Sequence, residues 1–290
     1  MKKIILTGSS SGFGQLTAKV LASKGNQVFA TMRNVKGKNS VAAQELITWG
    51  RENNTEIHVV ELDVASDTSV TNAIKEITAI SNDQIDVVIN NAGVGYLGVA
   101  ESLTSAQTEQ MFQVNVIGAD RVIKAALPYM HQQKKGLIIN VTSVQARSHM
   151  PLFGTYAATK AALDALSVGY YYELQTAGID VSIIQPGAYP TTDILSNGLI
   201  AGKPEVQLFY GERLERLKNT VVQYLVPGPN SPDPREVADA MAHLIDLPIG
   251  ERPLWVMVGA DGHEKEIGHI NEATQALVEV YLRDFGVWFD

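Results

Sequence analysis

A doubly wound parallel α/β sheet of about seven strands is what the sequence predicts, and three observations carry it. Short β-rich runs alternate with longer amphipathic stretches through the first two-thirds of the chain. Most of those runs are continuously apolar rather than alternating, as expected of strands covered by helices on both faces. A glycine-rich turn, LTGSSSGFG, separates the first run from the stretch that follows it.

In chain order, strands are expected at 2–8, 27–33, 57–64, 85–93, 136–143 and 180–187, with a seventh at 253–259. Helical periodicity at 14–24, 67–80, 107–131 and 156–177 lies between them, giving βαβ units with right-handed crossovers. No internal repeat or low-complexity tract is evident. After Pro186 the regularity breaks: residues 188–234 carry AYPTTDILSNG, GERLERLKNT and VPGPNSPDP. They read as an insertion overhanging the carboxyl edge of the sheet, where ligands bind in such folds. Residues 264–290 read as a helical extension, so 1–290 is expected to be one domain.

Composition bounds the chemistry. The 290 residues are 45% hydrophobic and 19% charged, which suits a soluble globular protein. A net charge of −8 disfavours a nucleic-acid surface, and the pairs Lys2-Lys3 and Lys134-Lys135 are too short to alter that. The absence of cysteine removes disulfides, thiol nucleophiles and thiolate-bound zinc. Six histidines, at 58, 131, 149, 243, 263 and 269, show no metal-ligand spacing, so no metal is expected. His149 reads as a surface-loop residue, with the substrate cleft as its alternative place. The apolar run 4–6 is too short for a signal peptide, and no stretch approaches the ~18 apolar residues of a membrane span. A cytoplasmic protein with no membrane partner is the expectation.

The turn after the first strand has glycines at 8, 12 and 14, with Ser10 and Phe13 between them. Gly8, Gly12 and Gly14 admit a tight turn and let a diphosphate reach backbone N–H groups at a helix N-terminus. This is a Rossmann-type arrangement, and it is not a P-loop, because no Lys-Ser/Thr follows the last glycine. An acid at the end of the second strand would bind a ribose 2′-hydroxyl; Met32 and Arg33 stand there instead. Arg33, with Ser10, favours NADP(H), NAD(H) remaining possible. Asp63 either accepts from the adenine amino group or caps the helix after it. In NNAG, Asn90 and Asn91 are placed to cross-link strand edges, while Ala92 and Gly93 let the backbone approach a cofactor.

Seven signatures now stand in one order: TGSSSGFG, LDV, NNAG, NVIG, NVTS, YAATK and PGAYPT. Together they resemble the short-chain dehydrogenase/reductase family over about residues 2–191, with 235–259 fitting its last unit. The resemblance implies NAD(P)(H)-dependent interconversion of a carbonyl and an alcohol. It implies that Tyr156 transfers the proton with Lys160 as partner, that Ser143 polarises the substrate, and that Asn115 completes the relay. It also implies cofactor contacts from Pro186, Gly187 and Thr191, and a homodimer or homotetramer built on helices 107–131 and 156–177.

Physical chemistry agrees with those roles. Residues i and i+4 share a helix face, so the ammonium of Lys160 is expected below the Tyr156 phenol. A neighbouring cation, together with the positively charged nicotinamide of an oxidised cofactor, should lower a phenol pKa of ~10. Ser143, at a strand's carboxyl end, is placed to donate where charge develops, and Thr142 should face the other way. Gln145, Phe153, Tyr189, Leu195 and residues 208–210 are expected to border a pocket for a moderately large apolar carbonyl or alcohol, with the 191–234 segment as its lid. The alternative is a non-catalytic nucleotide-binding regulator, which would be expected to lack Tyr156 or Lys160. An epimerase or dehydratase is a third reading, expected with a different glycine spacing.

Overall fold

The computed structural model describes residues 1–192, 199–260 and 262–287. Its elements run β1 (Lys3–Thr7), α1 (Gly12–Ser23), β2 (Gln27–Met32), α2 (Ser40–Glu52), β3 (Ile57–Glu61), α3 (Asp67–Ser81), β4 (Val87–Asn90) and β5 (Tyr96–Leu97). They continue with α4 (Ser105–Phe112), a π-helical turn (Gln113–Ile117), α5 (Gly118–Gln133), β6 (Gly136–Val141), α6 (Gln145–Ser148), α7 (Gly154–Leu174) and β7 (Ile179–Pro186). The remainder is β8 (Leu199–Ile200), α8 (Gly211–Tyr224), α9 (Arg235–Asp246), β9 (Trp255–Val258) and α10 (Glu264–Asp284).

Seven strands form one sheet in the order β3-β2-β1-β4-β6-β7-β9, every pairing parallel. The order reverses between β1 and β4, which opens a crevice at the carboxyl edge of the sheet. Alternate side chains of each strand enter opposite layers. Ile4, Leu6, Val28 and Ala30 pack under α1, α2 and α9 with Leu21, Leu46, Val237 and Met241. Ile5, Phe29 and Val88 pack under α3 and α5 with Ile77, Ile123 and Met130. β2, β4 and β6 are buried along their whole length, which is why those runs read as continuously apolar.

Three expectations shift in detail. The helix expected at 107–131 is two helices joined by the π-helical turn, and α4 starts on a capping box of Thr104 and Gln107. The strand expected at 85–93 stops at Asn90, because Asn91 turns to bond the end of β1. α2 and α6 are helices that the sequence reading had not assigned. Within 188–234 lies α8, whose Leu214, Leu217 and Val221, with Leu225, pack against Leu152, Phe153, Leu97, Val99 and Ala188. A second, two-stranded sheet pairs β5 with β8.

Candidate active site

The turn after β1 is tight. Gly8 has φ +71°, and a Cβ there would lie 2.7 Å from Ala92 Cα, so a side chain would push β1 off the exit of β4. Asn91 laces the same junction: its side-chain amide donates to the carbonyls of Thr7 and Gly8 at 3.0 and 3.1 Å. The backbone N–H groups of Asn91 and Ala92 donate to Thr7 Oγ1. Asn90 reaches the other way, donating to Asn140 Oδ1 on β6 at 2.9 Å. α1 begins at Gly12, with Phe13 and Gly14 in its first turn; Ser11 makes no side-chain cap and no acid stands there. Its first N–H groups therefore lack intrahelical acceptors and face an anion's favoured position.

Arg33 is exposed at the end of β2, and Lys36 and Lys38 stand exposed in the loop that follows. Among the described residues none of the three forms an ion pair. Ser10 is half-buried in the glycine turn. Asp63 Oδ1 accepts from the Ala65 N–H at 3.0 Å, and the cap of α3 is Ser66, not Asp63.

Ser143, Tyr156, Lys160 and Asn115 come together beyond β4 and β6. Tyr156 and Lys160 lie one turn apart on α7; the buried Lys160 ammonium donates to Val141 O at 2.8 Å and sits 5.7 Å from the Tyr156 ring. The Ser143 side chain hydrogen-bonds the phenol and accepts from the Gln145 N–H at 3.1 Å. The π-helical turn presents Asn115, which accepts from Val94 N–H at 2.8 Å and donates to Val94 O and Thr159 Oγ1. Such turns recur at functional sites because they re-aim one side chain within a helix. Gly93 adjoins both: a Cβ there would lie 3.5 Å from Asn115 Oδ1 and 3.6 Å from Lys160 Nζ.

The protein's own surroundings act on the titration of this pair mainly through burial. Burial pushes the Tyr156 phenol up to about 12, and the Ser143 hydrogen bond pulls only partly against it. Burial also pushes Lys160 down to about 8, with no carboxylate paired to it among the described residues. Desolvation dominates, so the protein's own groups keep the phenol protonated at neutral pH.

The other predicted positions divide. Phe153 lies edge-on to Tyr156 with ring centroids 6.4 Å apart. Gln145 spends its side-chain carbonyl on the Met150 N–H at 3.0 Å, holding the loop before α7. Tyr189 is not a pocket residue: it is buried with the α1 and α9 core, edge-on to Phe13 at 5.2 Å, its hydroxyl donating to Glu236 at 3.2 Å. The narrow space beside Gly259 takes its ring. Leu208 and Phe209 are 82% and 86% exposed, so they face solvent, and Tyr210 bonds Glu101. The wall near Phe153 comes from Leu152 and the α8 leucines, legible only as an i, i+3, i+7 spacing in GERLERLKNTV.

Thr191 is exposed, whereas the neighbouring Thr192 lies against Gly12 and donates to Tyr189 O at 2.7 Å. Leu195 lies outside the described residues. Thr142 donates to Ile184 O, away from the phenol, and His149 is exposed. Pro186 O accepts from the Val144 N–H at 3.0 Å and so fixes the Ser143 turn. A Cβ on Gly187 would lie 1.6 Å from Gly259 O, so this glycine serves strand contact first. Among the described residues no group of three or more His, Asp or Glu side chains is disposed to hold a metal, and no helix is long and apolar enough to cross a membrane.

Comparison with known proteins gives this geometry a lineage. The chain is 34% identical over 248 residues to the uncharacterized oxidoreductase YusZ of Bacillus subtilis, covering 84% of each. It is 32% identical over 188 residues to a 3-ketodihydrosphingosine reductase of Bacteroides thetaiotaomicron, 65% of this chain and 64% of that protein. The fold matches an alcohol dehydrogenase of Thermococcus sibiricus complexed with 5-hydroxy-NADP at a TM-score of 0.69 and 27% identity, over 89% of this chain and 96% of that one. The short chain dehydrogenase family profile matches residues 2–198. The chain belongs to that family and is an NAD(P)-dependent oxidoreductase.

Proposed function

We propose that the protein interconverts a ketone or aldehyde with its alcohol, preferring NADP(H), through Ser143, Tyr156, Lys160 and Asn115. The observation that carries this is the Ser143–Tyr156 hydrogen bond with Lys160 one helical turn below. A nicotinamide held along this edge would supply or accept the hydride. Ser143 donates to the substrate oxygen as negative charge develops there, and the neutral Tyr156 phenol delivers a proton to it. Lys160 favours the phenolate left behind, and Asn115 fixes the backbone of Val94 beside them. The turn from Gly8 to Gly14 fits the diphosphate, because its first-turn N–H groups are uncapped. The basic loop of Arg33, Lys36 and Lys38, with Ser10, suits a 2′-phosphate, NAD(H) being the weaker alternative. Asp63, Asn91, Ala92, Gly93 and Thr191 line the remaining cofactor path, Thr192 being the nearer threonine to the turn.

The apolar surround of Phe153, Leu152 and α8 favours a small-molecule substrate with a large apolar part. The similarity to a 3-ketodihydrosphingosine reductase points the same way. We read residues 1–290 as one domain, cytoplasmic and homo-oligomeric through α5 and α7, with 188–234 covering the site and 264–290 extending it. A non-catalytic regulator is the weaker reading, because it would not need the buried Lys160.

The test is oxidation of NADPH and NADH against decanal, a long-chain 3-ketone and acetophenone. Tyr156→Phe should lower turnover by about a thousandfold while leaving NADPH affinity within about twofold. Retained turnover in that variant, or no turnover by the parent on any carbonyl, would sink the proposal.

A further inference from the structure

Arg147 stands four residues after Ser143, and Asp164 four residues after Lys160. The two side chains meet: Arg147 Nη2 lies 2.5 Å from Asp164 Oδ1. Arg147 Nε donates to Asn271 Oδ1 at 2.8 Å, and Asn271 Nδ2 donates to Gln185 Oε1 at 2.8 Å. Gln185 Nε2 then donates to Asp164 Oδ2 at 2.9 Å, closing a ring of four side chains from α6, α7, β7 and α10. Trp255 on β9 adds a third donor to Asp164, Nε1 to Oδ1 at 3.2 Å, and its ring lies 5.8 Å from the guanidinium.

The direction of every bond in the ring is fixed. A guanidinium only donates and a carboxylate only accepts, so each amide can be oriented one way alone. Three members are deeply buried, Asp164 being 1% exposed, Gln185 0% and Asn271 4%, and the Arg147 side chain is 11% exposed. A buried ion pair of this kind is a poor source of net stability, since desolvation offsets much of its attraction. Its strength lies in geometry: a planar fork meets a carboxylate in one arrangement.

We infer that Arg147 is a positioning residue for the reaction, and that the ring it forms with Asp164, Gln185 and Asn271 holds the Ser143 turn in register with the helix bearing Tyr156 and Lys160. This rests on the functional reading above. The link is short on both sides. Ser143 O accepts from the Ala146 N–H at 2.9 Å and Ser143 Oγ from the Gln145 N–H at 3.1 Å, so Ser143 moves with α6. Asp164 is rigidly one turn of α7 beyond Lys160. It also makes the C-terminal helix part of the site's support, because Asn271 of α10 accepts from the guanidinium Nε–H.

The experiment is a double-mutant cycle between Arg147→Met and Ser143→Ala, read in NADPH-dependent reduction of decanal. Arg147→Met should lower kcat between about tenfold and a hundredfold, with decanal KM and NADPH affinity within about threefold, as displacement of a reacting group predicts. Arg147→Lys should recover part of the loss. In the Ser143→Ala background, Arg147→Met should cost almost nothing more, because a residue that acts through Ser143 has nothing left to position. Multiplying losses, or an Arg147→Met enzyme with kcat within twofold of the parent, would overturn the inference. If Arg147→Met does not fold, Asn271→Leu takes its place in the cycle, with the same expectation and the same overturning results. Full turnover by Ser143→Ala alone would instead overturn the role given to Ser143, which separates the two failures.

Discussion

Replacing Lys160 by Met should raise stability at neutral pH and abolish the proposed chemistry, and the sign of the stability change should reverse in alkali. Burial lowers the Lys160 pKa from 10.5 to about 8. At ~1.4 kcal/mol per pKa unit, holding the charged form in the folded protein costs about 3 kcal/mol. Methionine fills similar space without that cost, but it strips the donor from the Val141 carbonyl, which forfeits about 1.5 kcal/mol. The balance favours the variant by about 1.5 kcal/mol at pH 7. Between pH 8 and 10.5 the unfolded parent keeps its proton while the folded parent releases it, so parent stability rises with pH. By pH 9.5 that rise amounts to about 2 kcal/mol, and the parent overtakes the variant. Tyr156 adds little up to pH 9.5, because its unfolded value of 10.0 and its folded value of about 12 both lie above that pH. The assay is thermal unfolding of both proteins at equal concentration at pH 7 and pH 9.5. A variant less stable than its parent at pH 7, or a difference that does not move with pH, would refute the desolvation argument.

Two further outcomes follow from the same geometry. Gly187→Ala should cost about 3 kcal/mol or more, since its Cβ would lie 1.6 Å from Gly259 O and neither backbone can yield alone. That corresponds to a fall of roughly 5 °C in Tm, and a calorimetric shift under ~2 °C would contradict it. Arg33→Ser should weaken NADPH binding by about tenfold and leave NADH binding unchanged, as loss of one phosphate contact requires. Fluorescence titration of both nucleotides decides it, and an equal change for the two would remove Arg33 from the phosphate site.

The sheet was legible because its strands are covered on both faces, so apolar runs alone marked them. Their ends were not, because Asn91 stops β4 by bonding Thr7 and Gly8, partners more than eighty residues earlier in the chain. The break between α4 and α5 was invisible for a related reason. Val114 stays buried across the π-helical turn, so the apolar pattern runs on while the backbone changes pitch. The spacing of Tyr156 and Lys160 was local and therefore readable, as were the strand-end asparagines. Tyr189 was misread because Phe13, Glu236 and Gly259 close around it from three distant segments. The Arg147–Asn271 contact spans 124 residues and has no local signature at all.

The loop between Ser143 and Tyr156 ties the start of α7 to α8. His149 and Leu152 hold φ of +43° and +72°, a region that costs non-glycine residues on the order of 1–3 kcal/mol each. Leu152 stays there because its side chain is 4% exposed, packed with Val221 and Leu225, and because its carbonyl accepts from the Gly98 N–H at 3.0 Å. Burying a leucine contributes about 2 kcal/mol, which is of the size needed to offset the strain. The backbone that enters α7 two residues before Tyr156 is thus held in place by α8. A change on α8 that loosens its grip on Leu152 lets this loop relax, and the start of the helix carrying the phenol relaxes with it. The apolar face of α8 therefore bears on the placement of Tyr156, the proton donor proposed above.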